Sequence, residues 1–157
     1  MPKITTFLTY DDRAEEAAKL YVSVFPGARI TRVTRYGPGG PQPEGGVMTV
    51  AFELDGQPFV ALNGGPHFTF TDGVSLSVDC KTQQEVDAYW DRLSEGGEEG
   101  PCGWLKDRFG LSWQITPTVL GEMLGDPDPD RSRRVMEAML GMKKICIADL
   151  ERAYAGG

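Results

Sequence analysis

The sequence predicts an α+β fold made of two copies of a strand-helix-strands unit followed by a helical tail. Three observations predict it. Strand-type alternation and helix-type spacing take turns along the first 117 residues. Two helix starts carry a capping residue with an acid three positions on, Asp12 with Glu15 and Thr82 with Glu85. The order of elements also repeats: a shift of 68 residues, without a gap, sets Leu8 on Leu76, Asp11 on Asp79, Glu15 on Gln83 and Tyr21 on Tyr89. A shift of 54 then sets Gly56 on Gly110, so the second copy is 14 residues shorter between helix and hairpin, with a shortened or missing middle strand.

Ile4 to Tyr10 reads as a strand with Ile4, Thr6 and Leu8 on one face and Thr5, Phe7 and Thr9 on the other. The helix opened by Asp12 and Glu15 carries a stripe of Ala14, Ala17, Ala18, Tyr21, Val22 and Phe25 and stops at Pro26-Gly27. Ala28 to Tyr36 suits a strand with one wet side, and Gly37 to Gly46 a loop. Val47 to Leu54 and Gln57 to Leu62 form a hairpin across Asp55-Gly56. After a linker from Asn63 to Gly73, Val74 to Asp79 is a strand, and the helix capped by Thr82 presents Val86, Tyr89, Trp90 and Leu93 until Gly96-Gly97. Pro101 to Pro117 is a second hairpin with an Arg108-Phe109-Gly110 connection. The tail holds short helices over Thr118 to Leu124, Asp130 to Met142 and about Ile147 to Tyr154. The organisation expected is one domain over 1–157, with modules at about 3–63 and 73–117 and a tail at 118–157.

A chain of 157 residues buries roughly two-thirds of its unfolded surface and needs no disulfide or metal to stand. A net charge of −7 argues against nucleic acid and anionic membranes as partners, because both require a concentrated basic face. Cys80, Cys102 and Cys146 are odd in number, widely spaced and without a CxxC pair, which suits reduced thiols. Met1-Pro2-Lys3-Ile4 runs straight into a strand pattern with no signal-type apolar region, and no run approaches the roughly 20 apolar residues of a membrane span. A cytoplasmic protein is therefore expected.

The tandem modules resemble the vicinal oxygen chelate superfamily, which includes glyoxalase I, extradiol dioxygenases and bleomycin-resistance proteins. Leu62-Asn63-Gly64-Gly65-Pro66, the hairpin from Pro101-Cys102-Gly103-Trp104 to Trp113-Gln114, and the tail from Asp126-Pro127-Asp128-Pro129 to Val135-Met136-Glu137-Ala138-Met139 resemble its PhnB-like subgroup, often labelled 3-demethylubiquinone-9 3-methyltransferase-like. The resemblance implies βαβββ modules forming a curved mixed sheet with helices on its convex face, and a homodimer sealed by the Met-rich tail helix. In the superfamily four strand positions supply metal ligands, typically His and Glu. Those positions fall on Thr5, about Ala61, Gly73 and Gln114, none a His or a carboxylate, so no metal is expected there. A nucleoside-binding glycine loop should follow a strand and open a helix, whereas Gly37-Pro38-Gly39-Gly40-Pro41 opens none, so no cofactor is expected either.

With the helices over Leu8, Leu76 and Val78, the concave face carries Thr5, Phe7, Thr9, Ser75, Ser77 and Asp79, joined by Ser112, Gln114 and Thr116 of the last strand. Such a face suits a neutral or weakly polar organic ligand, or is simply the solvated side of a sheet. The candidate ligand-binding residues are Thr5, Phe7, Asn63, Ser75, Trp104 and Gln114, with Asn63 equally suited to holding the linker turn. Cys102 could be a nucleophile or a small side chain at a bulge, and His67 an acid-base group or a solvated loop histidine. Trp104 and Trp113 could stack on a flat ligand or pack a core. Three functions stay open: a metal-independent small-molecule-binding protein or enzyme, a non-catalytic sequestering protein, and a metalloenzyme with ligands such as Glu53, His67 and Cys102.

Overall fold

The computed structural model describes residues 3–157, which divide into two compact units, the first ending at Thr69 and the second running from Phe70 to Gly157. The first contains β1 (Thr6–Tyr10), α1 (Ala14–Val24), β2 (Arg29–Arg35), β3 (Val47–Leu54) and β4 (Gln57–Asn63). Its sheet order is β1-β4-β3-β2, with β1 parallel to β4 and the other pairs antiparallel. Asp55 and Gly56 both take positive φ, at 50° and 77°, the conformation that lets a two-residue turn follow the twist of β3 and β4. Helix α1 lies on β3 and β4, where its fully buried Ala14, Ala17 and Ala18 let it sit close to Val50, Phe52 and Phe59. Phe52 stacks on Phe59 with ring centroids 5.4 Å apart, and the hydroxyls of Tyr10 and Tyr21 hydrogen-bond at 2.9 Å.

The first helix is not capped as expected. Its N-cap is Arg13, whose side chain makes no capping bond and reaches Asp11 instead, while the Ala14 N–H donates 2.8 Å to Oδ1 of Asn63. Asn63 ends β4 beside the end of β1, so a side chain distant in sequence reaches the helix start and displaces the local Asp12-Glu15 pair.

The second unit holds β5 (Ser75–Cys80), α2 (Gln83–Ser94), β6 (Glu98–Glu99), β7 (Trp104–Lys106), β8 (Ser112–Pro117) and helices α3 (Thr118–Leu124), α4 (Pro129–Leu140) and α5 (Ile147–Ala155). Its sheet order, β5-β8-β7-β6, repeats the first, with β5 parallel to β8. The shortened middle strand is the two-residue β6. Thr82 caps α2 by accepting from the Glu85 N–H at 3.1 Å. Beneath α2 lie Trp113 and Ile115 of β8, both essentially buried, with Val86, Trp90 and Leu93 of the helix.

The ladders correct the register of the repeat. The parallel pairs end at Tyr10 opposite Asn63 and at Cys80 opposite Pro117, which places the first strands 70 apart and the last strands 54 apart. In the helices the buried Ala17 and Tyr21 correspond to Val86 and Trp90, 69 apart. A slip of two residues keeps every strand side chain on its own face, so alternation alone could not distinguish 68 from 70.

The tail has a small core of Leu120, Met123, Val135, Ile145 and Leu150. One side chain of α2 fastens it: the Gln83 amide donates 2.9 Å to the Ile145 carbonyl and accepts from the Ile147 N–H at 2.7 Å. Beside it Lys144 pairs with Asp87 at 3.0 Å. On the other side the N–H groups of Cys102 and Gly103 donate 2.8 Å to the carbonyls of Met142 and Lys143.

Candidate functional site

Alternation in the second sheet puts Leu76, Trp113, Val78 and Ile115 under α2 and leaves Ser75, Ser77, Gln114 and Thr116 on the opposite face. Ser75 and Gln114 meet there, Nε2 of Gln114 donating 3.0 Å to Oγ of Ser75. Trp104 of β7 pairs with Gln114 in the antiparallel ladder, so its half-buried indole stands on the same face, and Lys106 stands two residues on opposite Ser112. Three predicted residues, Ser75, Trp104 and Gln114, are thus neighbours on one surface. A cavity of about 480 Å³ opens at its β6-β7 end, lined among others by Trp104, Lys106, Ser112, Cys102, Glu98 and Asp72.

The wall between Gly100 and Trp104 is shaped by backbone. Cys102 is in the left-handed region at φ 59°, and Gly103 follows at 84°. A Cβ at Gly103 would lie 2.9 Å from the Ile115 carbonyl oxygen and 3.1 Å from Ile145, so only glycine lets the wall rest on β8 and the tail. Cys102 is half-buried in the turn between β6 and β7 rather than at a bulge, with its N–H committed to the Met142 carbonyl. Cys80 is fully buried, and burial first, then the nearby charges of Glu85 and Asp79, push its thiol up to about 12, which removes it as a nucleophile near neutrality.

The other predicted residues belong to the first unit. Thr5 is exposed ahead of β1, and Phe7 is 56% exposed on the face of β1 away from α1. Asn63 is buried, and its amide is occupied at both ends: besides accepting from Ala14 it donates 3.0 Å to the Val47 carbonyl, while its own carbonyl accepts from the Tyr36 hydroxyl. His67 is exposed in the loop after β4.

The donor chemistry does not suit a divalent metal at the superfamily's positions. Thr5 and Gly73 are exposed and offer no imidazole or carboxylate, and the Gln114 amide is bonded to Ser75. Ala61 is fully buried on the side of α1, and its neighbours on the open side, Val60 and Leu62, have no donor atoms in their side chains. Among the described residues no three His, Cys, Asp or Glu side chains gather as a ligand set. Glu53 is instead within 3.4 Å of the Arg29 guanidinium. The glycine-rich segment 37–46 joins antiparallel β2 and β3 and opens no helix.

Sequence reasoning missed two groups. Asp107, 2% exposed, organises the β7-β8 turn through Phe109, Leu111 and Trp113. Glu98 and Glu99 bring acid to the cavity from a strand too short to show any alternation.

The model of the family described as 3-demethylubiquinone-9 3-methyltransferase matches residues 2–116. Among solved structures, the PhnB protein of Bacillus cereus, a candidate 3-demethylubiquinone-9 3-methyltransferase, is 37% identical with a TM-score of 0.67, over 74% of this chain and 100% of that one. Protein PA1353 of Pseudomonas aeruginosa is 20% identical with a TM-score of 0.63, over 74% and 98% of the two chains. The fosfomycin resistance protein FosX of Listeria monocytogenes is 16% identical with a TM-score of 0.52, over 78% and 97%. The last two support the fold alone. No curated protein matches the sequence. The tail was expected to share in the resemblance, but the family match ends at residue 116, before α3 begins. No helix of the described residues is long and apolar enough to cross a membrane.

Proposed function

The chain belongs to the 3-demethylubiquinone-9 3-methyltransferase family, a PhnB-like branch of the vicinal oxygen chelate superfamily, and from that premise we propose that it binds a small organic molecule in the cavity of its second unit without a divalent metal. The observation that carries this reading is the cavity itself. About 480 Å³ lies within the range of small-molecule sites, and a half-buried tryptophan beside hydroxyl and ammonium groups gives an apolar surface with a few orienting polar atoms. Binding is favoured over turnover by the surroundings of Cys102. Its backbone is committed to the tail, and no histidine lines the cavity among the described residues to activate the thiol. The family's description speaks of methyl transfer, yet the chain's own glycine-rich loop lacks the strand-loop-helix context that holds a nucleoside cofactor.

Protein dialysed against chelator and titrated with metabolite fractions is expected to show saturable quenching of tryptophan fluorescence. Trp104→Ala should weaken that binding by about thirty-fold, the loss typical of an aromatic anchor. Binding that returns only with a stoichiometric divalent ion would overturn the metal-free reading, and product formation lost in Cys102→Ala would replace sequestration by catalysis.

A homodimer belongs to the same reading, supported by Met136 and Leu140 of α4, which are 40% and 60% exposed. Sedimentation at micromolar concentration is expected to give twice the monomer mass, and a monomer would remove this part.

A further inference from the structure

We propose that the ligand of this cavity is an organic cation, an amine or quaternary ammonium carried on a flat apolar body. The proposal rests on the binding reading above and adds the class of ligand to it.

Three carboxylates, Asp72, Glu98 and Glu99, line the cavity against one ammonium, Lys106. The ammonium is already engaged. Its Nζ lies 3.0 Å from Asp72, and that hydrogen bond, followed by the attraction of the same carboxylate, holds the lysine's pKa above its ordinary value. Glu98 sits opposite Lys106 in the β6-β7 ladder and is a lesser influence on it. Glu99 accepts the indole N–H of Trp90 at 2.7 Å, a neutral donor that fixes the carboxylate without neutralising it. Lys144 feels Glu99, but its own short contact is with Asp87 at 3.0 Å. With three acids against one base, the wall keeps a charge of −2, within a chain whose own net charge is −7. A concave wall of one sign concentrates counter-ions of the other.

Charge alone would attract any small inorganic cation. The oxygens, however, are not gathered as a chelate, and beside Ser112 and Cys102 the wall has an apolar stretch made by the Trp104 indole with Pro101 and Leu105. An aromatic face beside unneutralised carboxylates suits a cation that brings its own apolar surface, through stacking together with cation-π attraction. An anionic ligand would have to compete with Asp72 for the one lysine.

Three probes share a naphthalene body and differ only in charge: 1-naphthylmethylammonium, 1-naphthalenemethanol and 1-naphthoate. Binding is read as the shift of the Trp104 indole N–H in ¹⁵N spectra, assigned by its loss in Trp104→Phe. The ammonium is expected to bind about ten-fold more tightly than the alcohol, and the carboxylate not at all. Raising salt should narrow the gap, as should Glu98→Gln, a change at an exposed position that leaves the fold alone. An alcohol that binds as well as the ammonium overturns the cation proposal while leaving the binding site in place, and so does a carboxylate that binds better. If none of the three moves the Trp104 signal at millimolar concentration, the binding reading falls and the proposal falls with it.

Discussion

Asp107→Ala should lower the stability of the protein by about 3 to 5 kcal/mol, with the urea midpoint falling and the slope of the transition unchanged. The side chain is 2% exposed, and three charge-assisted bonds tie it to the turn around it. Oδ1 accepts from the N–H groups of Phe109 at 2.9 Å and Leu111 at 3.1 Å, and Oδ2 accepts from the Trp113 indole at 2.9 Å. Alanine would strand three buried donors, each costing about 1 to 3 kcal/mol, with water entering the vacated space to recover part of the sum. Asp107→Asn separates charge from shape. It can still serve Phe109 and Leu111, but its NH₂ faces the Trp113 N–H, so its loss should be about half that of alanine. Pairing Asp107→Asn with Trp113→Phe tests that conflict, since the double variant should lose less than the two singles added. A loss below about 1 kcal/mol for Asp107→Ala would show that water replaces the carboxylate at this turn.

Where a feature depended on neighbours in sequence, the residues showed it. The Asp55-Gly56 hairpin, the Thr82 cap and the faces of β1, β5 and β8 are all local, and the structure has them where alternation and capping spacing put them. What escaped was set by partners far along the chain. Asn63 read either as the holder of the linker turn or as a ligand donor, yet it caps a helix 49 residues before it. Gln83 read only as the counterpart of Glu15 in the repeat, although its amide bonds the backbone of the tail 62 and 64 residues later. The candidate site divided in the same way. Alternation set Ser75, Trp104 and Gln114 on one face, and of these Trp104 lines the cavity, while two of the three carboxylates in its wall come from β6, which exists only where its partner strand approaches it.

That approach makes Gly97→Ala the more damaging of the two substitutions at the Gly96-Gly97 pair, with an expected loss of about 3 kcal/mol or more. The sequence marks both glycines as a helix stop, but they do different work. Gly96, at φ 74°, supplies the left-handed turn that ends α2. A Cβ there would meet the side chain of Arg108 at 3.3 Å, which can yield, so Gly96→Ala should cost about 1 to 2 kcal/mol for its backbone conformation. A Cβ on Gly97 would fall 2.1 Å from the Lys106 carbonyl oxygen and 2.7 Å from the Asp107 carbonyl carbon. Both are backbone atoms, which no rotamer change can move, so the strands themselves must separate. Separation takes Glu98 away from Lys106 and draws Glu99 from the Trp90 indole, dismantling the acidic wall along with the β6-β7 pair. The two alanine variants should therefore differ in kind as well as in degree when denaturation is measured alongside probe binding. Gly96→Ala should be weaker but keep the preference for a cationic probe, whereas any folded Gly97→Ala should bind the ammonium no better than the alcohol. Equal losses of stability in the two would mean that β6 can move off β7 without strain, and that the wall does not depend on the close passage of Gly97.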